Sequence, residues 1–276
     1  MVKQMNQASH PEEVLSHVEK HGSSALARGI HVLQAFSTDA PMLTARELMA
    51  ATGLPKPTVF RLVTILCEAG LLRYEEASGR FMPAPGLGRL AAPLLARVPI
   101  RQLAFGPMQA LAERMCAQVS LGLGMGMDLV FIELAQSKDC ATVRPAMGSH
   151  ISLSRTASGR AYLAALPPEQ SERYLDGIRG SDPEHGIWLA ERLRETRDDL
   201  AERGFCKSHG DLQRQLDAVA VPLRTAGSAD EIYVFACTVP SFELGPGQLQ
   251  DDVGPRLVTL ARSIEAAMGA PSTQSA

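Results

Sequence analysis

Residues 43–82, LTARELMAATGLPKPTVFRLVTILCEAGLLRYEEASGRFM, decide how the first third of the chain folds. Thr44 is placed to cap a short helix, and Glu47, three residues on, completes a capping box by reaching back to it. Leu48, Met49 and Ala51 give that helix an apolar side, and Gly53 stops it. Leu54-Pro55 makes the turn. Pro57 falls in the first turn of a second helix, where its missing N–H would have no partner anyway. This helix runs to about Ala69. Val59, Leu62, Val63 and Leu66 recur at i, i+3, i+4 and i+7 as one buried stripe, leaving Lys56, Thr58, Arg61 and Thr64 nearer the opposite surface. Gly70 ends it, and residues 71–74 and 80–82 read as two strands joined by a turn at 75–79.

Two helices joined by a tight turn and followed by a β-hairpin make a winged helix, whose second helix has the diameter to enter a DNA major groove. Duplex affinity comes largely from neutralising phosphates, and sequence choice from a few side chains at base edges. Thr58 and Arg61 suit base edges. Lys56, Arg73 and Arg80 suit phosphates, the last two from the wing. A small helical packing unit is the plainer alternative, but the hairpin, the capping box and the helix upstream favour DNA.

The rest of the composition bounds the problem. At 276 residues the chain can hold two domains with separate cores. Hydrophobic residues make up 45% and charged ones 21%, an ordinary globular balance. No apolar run reaches the roughly 18–20 residues that span a bilayer, and the start of the chain (His10-Pro11-Glu12-Glu13) is no export signal, so a cytoplasmic protein without a membrane partner is expected. The net charge of −3 argues against nucleic acid until it is divided: residues 23–97 carry +3 and residues 98–276 carry −5. The basic excess sits where the DNA-binding pattern sits, and it is modest enough to call for two copies on DNA. Cys67, Cys116, Cys140, Cys206 and Cys237 are scattered without a C-x-x-C pair, so neither a disulfide framework nor a zinc site is expected. His17 and His21, four apart, lack a third ligand nearby; no metal and no cofactor is expected.

Upstream, residues 24–37 (SALARGIHVLQAFS) read as the first domain helix, with Ser23 or Ser24 to cap it. The run ALARGIHVLQAF, then LTARELMAATGLPKPTVFRLVTILCEAGLL, then the Gly-Arg-Phe of the wing, resembles the N-terminal domain of the isocitrate lyase regulator (IclR) family of bacterial transcription factors. The resemblance extends over about residues 24–268. It implies an α+β chain with an N-terminal winged helix-turn-helix domain (23–84), a linker helix (85–98) and a GAF-like effector domain (99–270) on a largely antiparallel sheet. Residues 1–22 and 271–276 are read as tails. It also implies a DNA-binding regulator acting as a dimer or a dimer of dimers.

The residues themselves carry a compatible pattern. Residues 86–98 put Leu87, Leu90, Leu94 and Leu95 on one stripe, with Pro93 as a kink or break, and residues 100–116 read as a further helix. Residues 119–134 read as a hairpin turning at Met127-Asp128. Its Gly122, Gly124 and Gly126 make G-x-G-x-G inside a strand, the wrong spacing and context for a nucleotide loop. Residues 142–145 read as a strand end and 151–153 as a strand. A helix begins at Thr156 (TASGRAYLAAL), with small residues that leave its first N–H groups approachable, a setting that favours an anion. Helices at 168–177 and 189–203, strands at 204–208, 218–223 and 232–239, a turn at 225–231 and a final helix at 252–268 complete the chain.

The resemblance places an effector pocket at Ala157, Ser158, Ser208, Ala218, Ala236 and Thr238. Only Ser158, Ser208 and Thr238 of these can hydrogen-bond, which points away from a glyoxylate-like ligand to one with an apolar body. The family often has His before its small-residue helix and Lys within it; here Arg155 and Arg160 stand there. A guanidinium can clamp a carboxylate bidentately, so the expected ligand is an aromatic or branched carboxylic acid held by Ser158, Thr238 and Arg155. The competing expectation is that Arg155 and Arg160 are surface residues paired with acids. An enzyme with an N-terminal appendage is the rival reading, but Ser154 and Ser158 lack a G-x-S-x-G elbow, and His209, three residues after Cys206, is its nearest approach to a dyad. A ligand sensor with a degenerate helix-turn-helix is a third.

Overall fold

The computed structural model describes residues 24–37, 40–96, 100–140, 145, 147–224 and 231–269, with the backbone alone at 94–96. The His17/His21 pair, the strand end at 142–144, the turn at 225–230 and both tails lie outside the described residues. The chain divides into two compact units, Met1–Val98 and Pro99–Ala276.

In the first unit, helix α1 (Ala25–Gln34) is capped by Ser24, whose Oγ accepts the Ala27 N–H at 3.1 Å. Helix α2 (Ala45–Thr52) opens on the expected capping box: Thr44 Oγ1 accepts the Glu47 N–H, and Glu47 Oε2 accepts the Thr44 N–H at 2.7 Å. Gly53 ends it at φ 66°, a left-handed conformation with almost no penalty for glycine. Helix α3 (Lys56–Glu68) buries Val59, Leu62, Val63 and Leu66. These meet Val32 of α1, Leu48 of α2 and Leu72 and Phe81 of the hairpin in one core. Strands β1 (Leu72–Glu75) and β2 (Arg80–Pro83) pair antiparallel, Leu72 opposite Pro83. Leu43 adds a bridge to Phe81, so the wing is stitched to the segment that enters α2. Helix α4 (Pro85–Ala96) follows and runs through Pro93, where a kink or break is expected from the sequence.

The second unit is a five-stranded antiparallel sheet between two helical layers. After helix α5 (Ile100–Arg114) come β3 (Gln118–Met125) and β4 (Asp128–Gln136). Helices α6 (Ala157–Ala165), α7 (Pro168–Ser181) and α8 (Pro183–Arg203) follow, then β5 (Cys206–His209), β6 (Leu216–Arg224), β7 (Ile232–Pro240) and α9 (Gly254–Gly269). The strand order is β4-β3-β7-β6-β5, every pair antiparallel. Strand alternation sends Ile232, Val234 and Ala236 of β7 toward α6 and α8, and Tyr233, Phe235, Cys237 and Val239 to the opposite face, where α5 and α9 pack.

One expectation is corrected here. Residues 151–153 form no strand: the segment before α6 meets β4 through a single bridge, Val130 to His150, and through backbone bonds of Gly148, Ser149 and Ile151 to Phe131 and Leu129. The glycines of β3 serve packing. A Cβ at Gly124 would lie 2.1 Å from the Tyr162 ring of α6, so the bare strand is what lets that ring lie flat against the sheet. The Tyr162 hydroxyl then donates to Gly126 O at 2.8 Å.

Candidate functional site

The first surface is the outer face of α3. Pro55 precedes it without a side-chain cap, so its first N–H groups are left to backbone carbonyls and to solvent. With the four apolar residues turned inward, Lys56, Arg61 and Thr64 are exposed and Thr58 is half-buried. Thr64 Oγ1 donates to Phe60 O at 2.9 Å, one turn back. Lys56 Nζ lies 5.8 Å from the centre of the Phe60 ring, which is itself exposed. On the wing, Arg73 is exposed and its guanidinium meets Met82 Sδ across the strand pair at 3.0 Å.

Arg80 is placed differently from the free wing cation expected. Its guanidinium turns back, donating to Met42 O at 2.9 Å and to Glu47 Oε2 at 3.2 Å. The backbone N–H of Thr44, then its hydroxyl, and less strongly Arg80 hold the Glu47 carboxyl below its ordinary pKa. Arg80 therefore joins the wing to the start of α2.

The second surface is internal. On the α6 side of the sheet the ladder aligns Gln118, Thr238, Ala218 and Ser208 in one row across β3, β7, β6 and β5. The next row is Ser120, Ala236, Ala220 and Cys206. Five of the residues expected to line a pocket thus meet: Ser208, Ala218, Ala236 and Thr238 on these rows, and Ala157 above them, its carbonyl 3.5 Å from Cys206 Sγ. Ser158 follows in the same buried first turn of α6. Among the described residues, the hydroxyls of Ser120, Ser158 and Thr238 make no hydrogen bond; Thr238 is half-buried, and none of the three is a fully enclosed atom. Thr156 Oγ1 takes the Gly159 N–H at 2.9 Å, which leaves the N–H groups of Ala157 and Ser158 without a partner among the described residues. Sequence reasoning missed Ser120 and Gln118 because they sit inside an apolar run.

Arg160 departs furthest from expectation. It is 1% exposed, not on the surface. It donates to Asp211 Oδ2 at 2.7 Å, Ser154 O at 3.2 Å and Lys207 O at 3.3 Å, and its guanidinium lies 5.7 Å from the centre of the Trp188 ring. Asp211 also accepts the Ser208 hydroxyl at 2.7 Å. This group borders a cavity of about 390 Å³ between α8 and β5, where Arg192 meets Glu195 at 2.6 Å and Lys207 meets Asp199 at 3.8 Å. Of the expected pocket residues only Ser208 reaches it, and its charges are already matched to one another. Arg155, by contrast, is exposed on the turn before α6.

Cys206 and His209 do not form a dyad. Burial pushes the Cys206 thiol up to about 12, and His209 pairs with Asp217 at 3.4 Å instead of with the thiol. No helix among the described residues is long and apolar enough to cross a membrane.

Residues 25–76 match the IclR helix-turn-helix domain, and residues 92–243 match the bacterial transcriptional regulator IclR C-terminal domain. The chain is 28% identical over 248 residues to the HTH-type transcriptional regulator TsaQ1/TsaQ2 of Comamonas testosteroni, covering 89% of this chain and 88% of that one. An IclR family transcriptional regulator from Brucella abortus superposes with a TM-score of 0.73 at 35% identity, over 90% of this chain and 92% of that one. An IclR homologue from Microbacterium hydrocarbonoxydans, complexed with 4-hydroxybenzoate, shares the fold at a TM-score of 0.70 and 22% identity, over 89% and 97% of the two chains. With both domains matched and a wing, a charged helix face and a polar row beneath α6 in place, this chain belongs to the IclR family of DNA-binding transcriptional regulators and is not an enzyme.

Proposed function

We propose that this regulator binds a palindromic promoter element as a dimer or a dimer of dimers, and that its second unit answers to a small carboxylic or aromatic acid of a catabolic pathway. Arg61 and Thr58 read base edges; Lys56 and Arg73 take phosphates, while Arg80 acts from behind by fixing the wing. Self-association is supported by Leu26 (75% exposed) and Ile30 on α1 and Leu90 on α4, apolar side chains that a single chain leaves uncovered.

The observation that carries the effector reading is the set of three unpartnered hydroxyls on Ser120, Ser158 and Thr238. None of the three is a fully enclosed atom, so each can meet water when no ligand is present and exchange it for a ligand's polar group. Ala157, Ala218 and Ala236 leave room among them for an apolar ring or branch. The free N–H groups of Ala157 and Ser158, with Arg155 beside them, suit a carboxylate. Ser208 adds chemistry of its own. Its one hydroxyl proton goes to Asp211, so toward a ligand it offers only lone pairs and selects a group that donates, such as a phenol or alcohol. A hydroxylated aromatic acid fits both ends, and the 4-hydroxybenzoate of the Microbacterium hydrocarbonoxydans homologue is a compound of this kind. The effector acts by favouring one arrangement of the DNA-binding units over another.

A thermal-shift panel of aromatic and aliphatic acids, with and without hydroxyls, tests this. Stabilisation by hydroxylated aromatic acids that Ser158→Ala and Thr238→Val abolish is expected; no response to any acid sinks the effector reading.

A further inference from the structure

The exposed apolar side chains of the DNA-binding unit do not all belong together. Leu26 and Ile30 share one face of α1, and Leu90 lies on α4. Phe60 stands apart. It is 44% exposed in the second turn of α3, directly before Arg61, and the buried stripe of that helix is complete without it. At 3.6 residues per turn it lies roughly 140° around α3 from the exposed Ile65, so the two occupy opposite shoulders of the outward face.

The neighbours of Phe60 define what its shoulder offers. One turn before it, Lys56 holds its ammonium over the ring. One turn after it, Thr64 has given its hydroxyl proton to the Phe60 carbonyl, which leaves a methyl group and lone pairs to present. The shoulder is therefore apolar, capped by a cation toward the start of the helix and bordered by the guanidinium of Arg61. The floor of a major groove is polar at every base edge except one, the C5-methyl of thymine. A phenyl ring set against the other edges would strip water from donors and acceptors and give nothing back. Against a thymine methyl, both apolar groups leave water together.

We propose that Phe60 is a specificity-determining residue that reads the C5-methyl of a thymine in the operator, while Arg61 beside it reads a polar edge. This rests on α3 being the helix that enters the groove. It adds a base-identity element that no charged residue supplies, since thymine and cytosine differ in the major groove by that methyl as well as by their polar groups.

The test begins with selection of binding sites from random duplexes by the full-length protein. Each thymine of the selected site is then replaced singly by deoxyuridine, which removes only the methyl, and binding is measured by competition. One thymine is expected at which wild-type binding weakens about fourfold, the worth of one buried methyl group. F60A should bind the thymine and deoxyuridine duplexes equally, with an unchanged unfolding midpoint, and Phe60→Leu should keep part of the preference. A selected site without thymine, a site indifferent to every deoxyuridine, or a preference that survives in F60A overturns the proposal. So does a change in the sedimentation of F60A without DNA, which would place the ring in a contact between copies. Arg61→Ala separates the two levels: if it binds the selected site like wild type, α3 is not the reading helix; if it binds weakly while deoxyuridine has no effect, only the role of Phe60 falls.

Discussion

The starts of α3 and α6 are built from the same materials for opposite purposes. Each carries an arginine within its first six residues, and hydroxyl residues in its first turns. In α3 the core is finished by four apolar residues, so Arg61 and Thr64 point to solvent and remain available for an outside partner. In α6 the seven residues from Ala157 to Leu163 are all buried, so its polar groups turn to partners within the domain or to whatever enters beside them. Arg160 finds Asp211; Ser158 finds none among the described residues. On an exposed helix, chemistry is read from what is displayed. Inside a domain it is read from what is left unmatched.

The sharpest way to break this contrast is to remove the inner arginine. Arg160→Leu strands the Asp211 carboxylate, which is 10% exposed, and should destabilise the effector unit by about 3–5 kcal/mol in urea titrations. A loss under 1 kcal/mol would mean that the pair is solvated and the two helices are less different than described. Next is Gly124→Ala, whose new methyl meets the Tyr162 ring; overpacking of this kind should cost about 1–3 kcal/mol, read in the same titration. Arg61→Ala should have the reverse profile. An unchanged unfolding midpoint is expected together with about 1–3 kcal/mol of lost operator affinity in a gel shift. The weakest effect on stability belongs to Ser158→Ala, within about 0.5 kcal/mol of wild type because the hydroxyl holds nothing in place, although effector response should vanish.

A pH titration sharpens the comparison from the outer side. The carboxyl of Glu47 sits below its ordinary 4.5 in the folded domain. Its contribution is present above that value and disappears as pH falls through the lower folded value. Melting of residues 24–96 followed between pH 6 and pH 2.5 should show this acid loss. Glu47→Gln should flatten it, and an unflattened curve would assign the loss to other carboxylates.

How much was legible in the chain follows the same division. Residues 43–82 were readable nearly to the residue because capping box, αL glycine and helical stripe are local signals, each complete within a few positions. The positions expected to line a pocket came through the family resemblance; three of them, Ser208, Ala218 and Thr238, stand side by side in one row across β5, β6 and β7. What stayed hidden depended on distant partners. Arg160 looked like a surface charge because Asp211 is 51 residues away. Ser120 was lost in the run VSLGLG, where a period of two is blurred by burial on both faces of β3. The apolar Ile151–Leu153 segment looked like a strand and instead fills the space under α6, with Ile151 and Leu153 both in that core.

The bond from Arg80 to Met42 and Glu47 has a consequence for how a duplex is met. Together with the Leu43–Phe81 bridge it fastens the hairpin to the segment leading into α2 before any DNA arrives. A loose finger would surrender freedom on docking, and that loss would be subtracted from affinity. Here the clasp is already set, so a charge reversal at residue 80 should slow and weaken capture of any duplex, whatever its letters.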